Sequence, residues 1–265
     1  MTWTTQLGSD ASGDLASYST GRGPALALLH GVGLRSEAWA PITPLLQDHF
    51  TIHVFDMPGH GNSPLNGAKD FKDYADRLEA ALQKIDGPIA LAGHSMGAML
   101  ALELADRLPD RVMGVAALNA IFRRSSAARE AVQARAADLP EDKMADPSVT
   151  LERWFGSNPT GPKKEARDAC YNWLTRINPL GYKRAYTVFA KGDGPTDQQL
   201  TSLEMPALFL TGAGDPNSTP QMSEAMATLA PKGTAKTIPD AAHMLPMTHP
   251  KLTADLLIQT FKGGH

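Results

Sequence analysis

The chain has 265 residues, 42% of them hydrophobic and 20% charged, with a formal net charge of −3 and a pI of about 6.2. That composition supports a sizeable buried core and gives none of the basic surface that nucleic-acid binding requires. One cysteine, Cys170, excludes an internal disulfide. Met1–Ser12 lacks the basic and apolar regions of a secretory leader, and no run reaches the roughly 18 apolar residues of a membrane helix. The expected setting is therefore cytoplasmic, with no membrane partner.

The first 20 residues read as an antiparallel hairpin, with Leu15–Ser19 as one of its strands. Ala25–His30, Thr51–Asp56, Ile89–Ala92, Val112–Leu118, Ala207–Thr211 and Ala235–Ile238 follow as short, almost continuously apolar runs. Runs of that kind are what parallel strands covered on both faces look like. Helical patterns separate them: Pro41–Gln47, the amphipathic Lys72–Lys84, and Met96–Leu108, which is apolar on most faces and so belongs inside the molecule. Pro250–Phe261 reads as a C-terminal helix. Strand–helix alternation implies an α/β fold with a mostly parallel central sheet and helices on both faces. The alternation stops after Val112–Leu118, the sixth strand once both hairpin strands are counted. Residues 122–203 are helical and aromatic-rich and read as a cap over a core made of 1–121 and 204–265.

Four segments carry chemistry. Gly93-His94-Ser95-Met96-Gly97 joins a strand to the buried helix, the setting of a nucleophile elbow. Its serine hydroxyl projects from the sheet edge, and the helix N-terminus offers free N–H groups. His30-Gly31-Val32-Gly33 ends an earlier strand. Its glycines let the Val32 N–H turn toward Ser95, where with the Met96 N–H it would cradle an oxyanion. Asp215, in Thr211-Gly212-Ala213-Gly214-Asp215-Pro216, is a carboxylate on a tight loop after a strand. His243 follows the last strand and precedes the C-terminal helix. The order Ser, Asp, His then supplies nucleophile, orienting acid and base. His30 reads as a pin for its loop, His60 as a loop or pocket-edge residue, and His94 as a neighbour whose side chain diverges from Ser95. The strand at Val112–Leu118 offers no rival acid, because it ends in Asn119. Asp240 is near His243 in sequence but is expected to point elsewhere.

With these motifs in place the chain resembles the α/β-hydrolase superfamily over nearly its whole length. The H-G-x-G loop, the Asp56–Ser63 loop (D-x-P-G-x-G-x-S), the elbow, G-x-x-D and the final His stand in that family's order. Gly31 through Trp39 and Phe50 through Asp56 look most like carboxylesterases of the pimeloyl carrier-protein methyl ester kind, although Gly97 is followed here by Ala98. The resemblance implies cleavage of a carboxylic ester or lactone through an acyl-enzyme, with no cofactor and no metal. C–C bond hydrolysis of a diketone and perhydrolysis use the same residues, and a small-ligand receptor of this fold is the alternative from another class. Ser95 excludes the members that use Asp as nucleophile. Trp154, Phe155, Trp173, Tyr186 and Phe189 are the candidate lining of a substrate pocket. Residues 122–200 hold 13 Lys/Arg against 10 Asp/Glu, so an anionic or carrier-bound substrate is a further expectation.

Overall fold

A computed structural model describes residues 15–262. Seven strands form one sheet in the order β1-β3-β2-β4-β5-β6-β7. They are β1 (Ser17–Gly21), β2 (Ala25–Leu29), β3 (Thr51–Phe55), β4 (Ile89–His94), β5 (Val112–Leu118), β6 (Ala207–Gly212) and β7 (Gly233–Ile238). β1 runs antiparallel to β3, and all other pairs are parallel. The partner strand expected for the N-terminal hairpin lies outside the described residues, so Val112–Leu118 is the fifth strand here. Helices α1 (Thr43–Leu46), α2 (Phe71–Leu82), α3 (Met96–Arg107), α9 (Pro220–Leu229), α10 (Leu245–Thr248) and α11 (Pro250–Lys262) belong to the core. A 3-10 turn at Ser36–Trp39 precedes α1.

The two faces of the sheet can be read from alternate residues, because successive side chains on a strand point opposite ways. Ala27, Leu29, Leu91, Val115, Ala117 and Phe209 pack with Leu78 of α2, Leu100 and Leu104 of α3 and Met226 of α9. Leu26, Leu28, Ala90, Ala92, Ala116, Leu118 and Leu210 pack with Leu46 of α1 and Leu257 and Phe261 of α11. Strands with two buried faces cannot alternate polar with apolar, which is why their sequences run uninterrupted. The edge strand β7 does alternate exposed with covered positions over most of its length.

Between β5 and β6 the chain makes α4 (Ser126–Asp138), α5 (Ser148–Phe155), α6 (Gly161–Leu174), α7 (Pro179–Lys191) and α8 (Asp197–Thr201). The Ser125 and Asn178 side chains cap α4 and α7, and Thr196 with Gln199 forms a capping box on α8. β3 lies on one side of β2 and β4 on the other. The loops leaving β2 and β4 therefore part at a switch in strand order, where open α/β sheets have their crevice.

Candidate active site

Ser95 directly follows β4 and takes φ +57°, ψ −119°, a backbone conformation that L-residues rarely adopt. Its amide donates to Leu118 O at 2.8 Å, which anchors the turn to β5. The glycines on either side are required by space. A Cβ at Gly93 would lie 2.0 Å from Gly97 O, and one at Gly97 would lie 2.3 Å from Leu29 O. The sharp turn and the close approach of α3 to β2 therefore depend on both. Strain of this kind costs on the order of 1–3 kcal/mol and is held by the surrounding packing.

Ser95 Oγ lies 3.2 Å from His243 Nε2, and His243 Nδ1 lies 2.7 Å from Asp215 Oδ2. His243 leaves the loop after β7, and Asp215 the loop after β6. Both are buried. Asp215 Oδ1 accepts the amides of Asn217 at 2.9 Å and Ser218 at 3.2 Å, and Oδ2 also accepts Asn119 Nδ2 at 2.9 Å. Burial alone would raise the Asp215 carboxyl. His243, the Asn217 amide and the Asn119 side chain more than reverse that, so it is held below the usual carboxylate range. A hydroxyl, an imidazole and a buried carboxylate in this line can deprotonate the hydroxyl.

The loop after β2 runs directly against the elbow. A Cβ on Gly31 would lie 3.0 Å from Ser95 Cβ. Among the described residues neither the Val32 nor the Met96 amide donates a hydrogen bond. Three histidines fix the surrounding backbone. His30 Nε2 accepts from Met57 N at 2.9 Å while Nδ1 donates to Gly31 O at 2.8 Å. His60 Nε2 accepts from Gly33 N at 3.0 Å while Nδ1 donates to Pro58 O at 3.1 Å. His94 Nε2 donates to the His243 carbonyl at 2.7 Å. The pinning expected of His30 is thus a specific pair of bonds, and His94 holds the backbone of His243. Burial dominates all three rings, pushing His30 down to about 4 and His60 and His94 down to about 3. Asp56 adds a fourth fastening, accepting Ser36 N at 2.7 Å and Asn62 N at 2.9 Å.

The five aromatic candidates separate. Trp154 stacks on the His243 ring, with centroids 6.1 Å apart and planes 27° apart. Phe155 is buried in the core. Trp173 lines a groove of about 1160 Å³ between the Gly33–Glu37 loop and α6. Tyr186 packs on Tyr182 and Phe189, and Phe189 lies under Arg124. Its stacking on His243 sets Trp154 against the hydroxyl–imidazole–carboxylate line. Asn119 was missed as a site residue. It is seen only once β5 and β6 are known to be neighbours, because that pairing sets it beside Asp215.

A model of the Alpha/beta hydrolase family matches residues 26–256. The chain belongs to the α/β-hydrolase family. This hydrolase is 40% identical to the (E)-2-((N-methylformamido)methylene)succinate hydrolase of Acinetobacter baylyi, over 88% of this chain and 89% of that one. It is 32% identical to a pimeloyl-[acyl-carrier protein] methyl ester esterase of Stenotrophomonas maltophilia, over 84% and 87% of the two chains. Among solved structures, a thermophilic esterase from Thermogutta terrifontis with malate bound superposes with a TM-score of 0.79 at 26% identity, covering 94% of this chain and 93% of that one. Among the described residues of this hydrolase, no helix is long and apolar enough to cross a membrane.

Proposed function

We propose that this hydrolase cleaves an acyl bond of a small, carboxylate-bearing substrate through a covalent intermediate on Ser95. The observation that carries the reading is the hydrogen-bonded line from Ser95 Oγ through His243 to Asp215. His243 takes the hydroxyl proton as Oγ attacks the carbonyl carbon. The Val32 and Met96 amides, neither of them engaged among the described residues, receive the negative oxygen. The carbon–heteroatom bond then breaks, and His243 gives the proton to the leaving atom. Water repeats the sequence, freeing the acid and returning the proton to Ser95. Asp215 stays ionised throughout and stabilises the imidazolium, consistent with its depressed carboxyl.

The sequence alone suggests an ester or lactone. The Acinetobacter enzyme is named for a compound with a formyl amide and two carboxylates. Ester and amide differ here only in the leaving atom, oxygen or nitrogen, and both need the proton that His243 returns. The 40% identity favours the amide-bearing succinate as the substrate class, and a methyl ester is the second reading because of the Stenotrophomonas relative. Formate release from (E)-2-((N-methylformamido)methylene)succinate, measured beside hydrolysis of p-nitrophenyl acetate and methyl pimelate, tests this. We expect kcat/KM for the succinate at least ten-fold above both esters, and no turnover by Ser95→Ala. A preference for either ester overturns the substrate class. Full activity in Ser95→Ala overturns the mechanism.

A further inference from the structure

The cap cations do not all have counter-ions. Arg123 pairs with Asp197, and Arg124 and Arg129 both pair with Asp193. Arg135 of α4 and Arg153 of α5 differ. Both are half-buried, and among the described residues neither has a carboxylate within ion-pair distance. They converge on one phenol instead. Arg135 Nη1 lies 3.4 Å from the Tyr186 hydroxyl, and Arg153 interacts electrostatically with that same side chain. Tyr182, one turn earlier on α7, has its ring 6.0 Å from the Tyr186 ring. Burial, and then the charge of Arg135, pull the Arg153 guanidinium below its ordinary value.

Two neighbours of the pair lead to the catalytic line. The Tyr182 ring lies against the loop that carries Val32, since a Cβ on Gly33 would come within 2.9 Å of Tyr182 Cε2. Trp154, the next residue after Arg153, stacks on His243. Two like charges that lose water without gaining a counter-ion are unfavourable. An entering carboxylate removes that repulsion and accepts charge-assisted, fork-shaped hydrogen bonds from guanidinium.

We propose that Arg135 and Arg153, with the Tyr186 hydroxyl between them, form a subsite that binds a carboxylate of the substrate while its acyl carbon lies at Ser95. The inference rests on the reading of Ser95 as nucleophile for its second half only. The half-buried setting and the phenol walls suit a small carboxylate better than the face of an acidic protein.

The test is calorimetric titration of succinate, and of its neutral counterpart succinamide, into the Ser95→Ala protein, where no turnover contributes. Succinate is expected to bind at least ten-fold more tightly than succinamide. Arg135→Gln and Arg153→Gln, each added to that background, are expected to weaken succinate at least ten-fold, and Arg153→Lys to restore part of the loss. Should a Gln variant fail to fold, Tyr186→Phe keeps the ring, removes the shared hydroxyl and must also weaken succinate. Equal affinity for succinate and succinamide overturns the proposal, as does succinate binding that the substitutions leave unchanged. Failure of the nucleophile assignment is read separately, from covalent labelling of Ser95, and does not alter succinate affinity.

Discussion

Lowering the pH from 7 to 5 should destabilise this protein through three buried imidazoles. His30 and His60 each use Nε2 as an acceptor for a backbone N–H, so a second ring proton would set donor against donor. Each ring takes up a proton near pH 6.5 when unfolded but only at about 4 (His30) or about 3 (His60, His94) when folded. Between those values the unfolded chain binds more protons, so stability falls as pH falls. Each ring contributes about 1.4 kcal/mol per pH unit, or about 4 kcal/mol per unit for the three. From pH 6.5 to 5 the loss is about 6 kcal/mol, comparable with the whole stability of an ordinary domain. At about 2–4 °C per kcal/mol for a chain of this size, Tm should drop by about 12–24 °C. Circular-dichroism melts at pH 7 and pH 5 measure it. His60→Gln keeps an acceptor for Gly33 N–H without the titration and should recover about a third of the drop. A wild-type Tm that moves by less than about 4 °C, or a drop of the same size in His60→Gln, refutes the reasoning.

Other outcomes follow from the same geometry. Asp215→Asn removes the charge that orients and stabilises His243, and kcat should fall on the order of 10³–10⁴-fold with little change in KM, read by steady-state kinetics. Asn119 sits at φ +53°, so Asn119→Gly keeps the backbone while deleting the donor to Asp215. Losing a hydrogen bond to a charged group costs about 1.5–3 kcal/mol, which sets an expected ten- to hundred-fold loss in kcat/KM; an unchanged value would remove Asn119 from the site. Gly93→Ala places a methyl 2.0 Å from Gly97 O and should abolish activity, soluble yield falling with it; a fully active Gly93→Ala enzyme would mean the turn is looser than described.

Much of this was legible from residues alone, for identifiable reasons. β2, β4, β5 and β6 are covered on both faces, and double burial leaves an uninterrupted apolar run in the sequence. Ser95 and Asp215 follow such runs and His243 follows the alternating edge strand β7, so the placement of all three at one edge of the sheet followed from strand direction. Asn119 was passed over as a non-acid, because its use depends on β6 returning beside β5 after the 122–203 excursion. His60 looks like any loop histidine until Gly33, 27 residues earlier, is brought to its Nε2. Arg135 and Arg153 look like any other cations of the 122–203 helices, and no periodicity marks them as the pair that meets at Tyr186. Of the aromatic residues chosen for their type, Trp154 stacks on His243 while Tyr186 and Phe189 pack on each other, because helical packing uses rings of the same kind.

The most direct test of the central claim is intact-protein and peptide mass spectrometry after reaction with a serine-directed fluorophosphonate. The account predicts a single adduct per chain, mapped to Ser95, absent in Ser95→Ala and strongly slowed in His243→Ala. An adduct that maps elsewhere, or one that persists in Ser95→Ala, would contradict it.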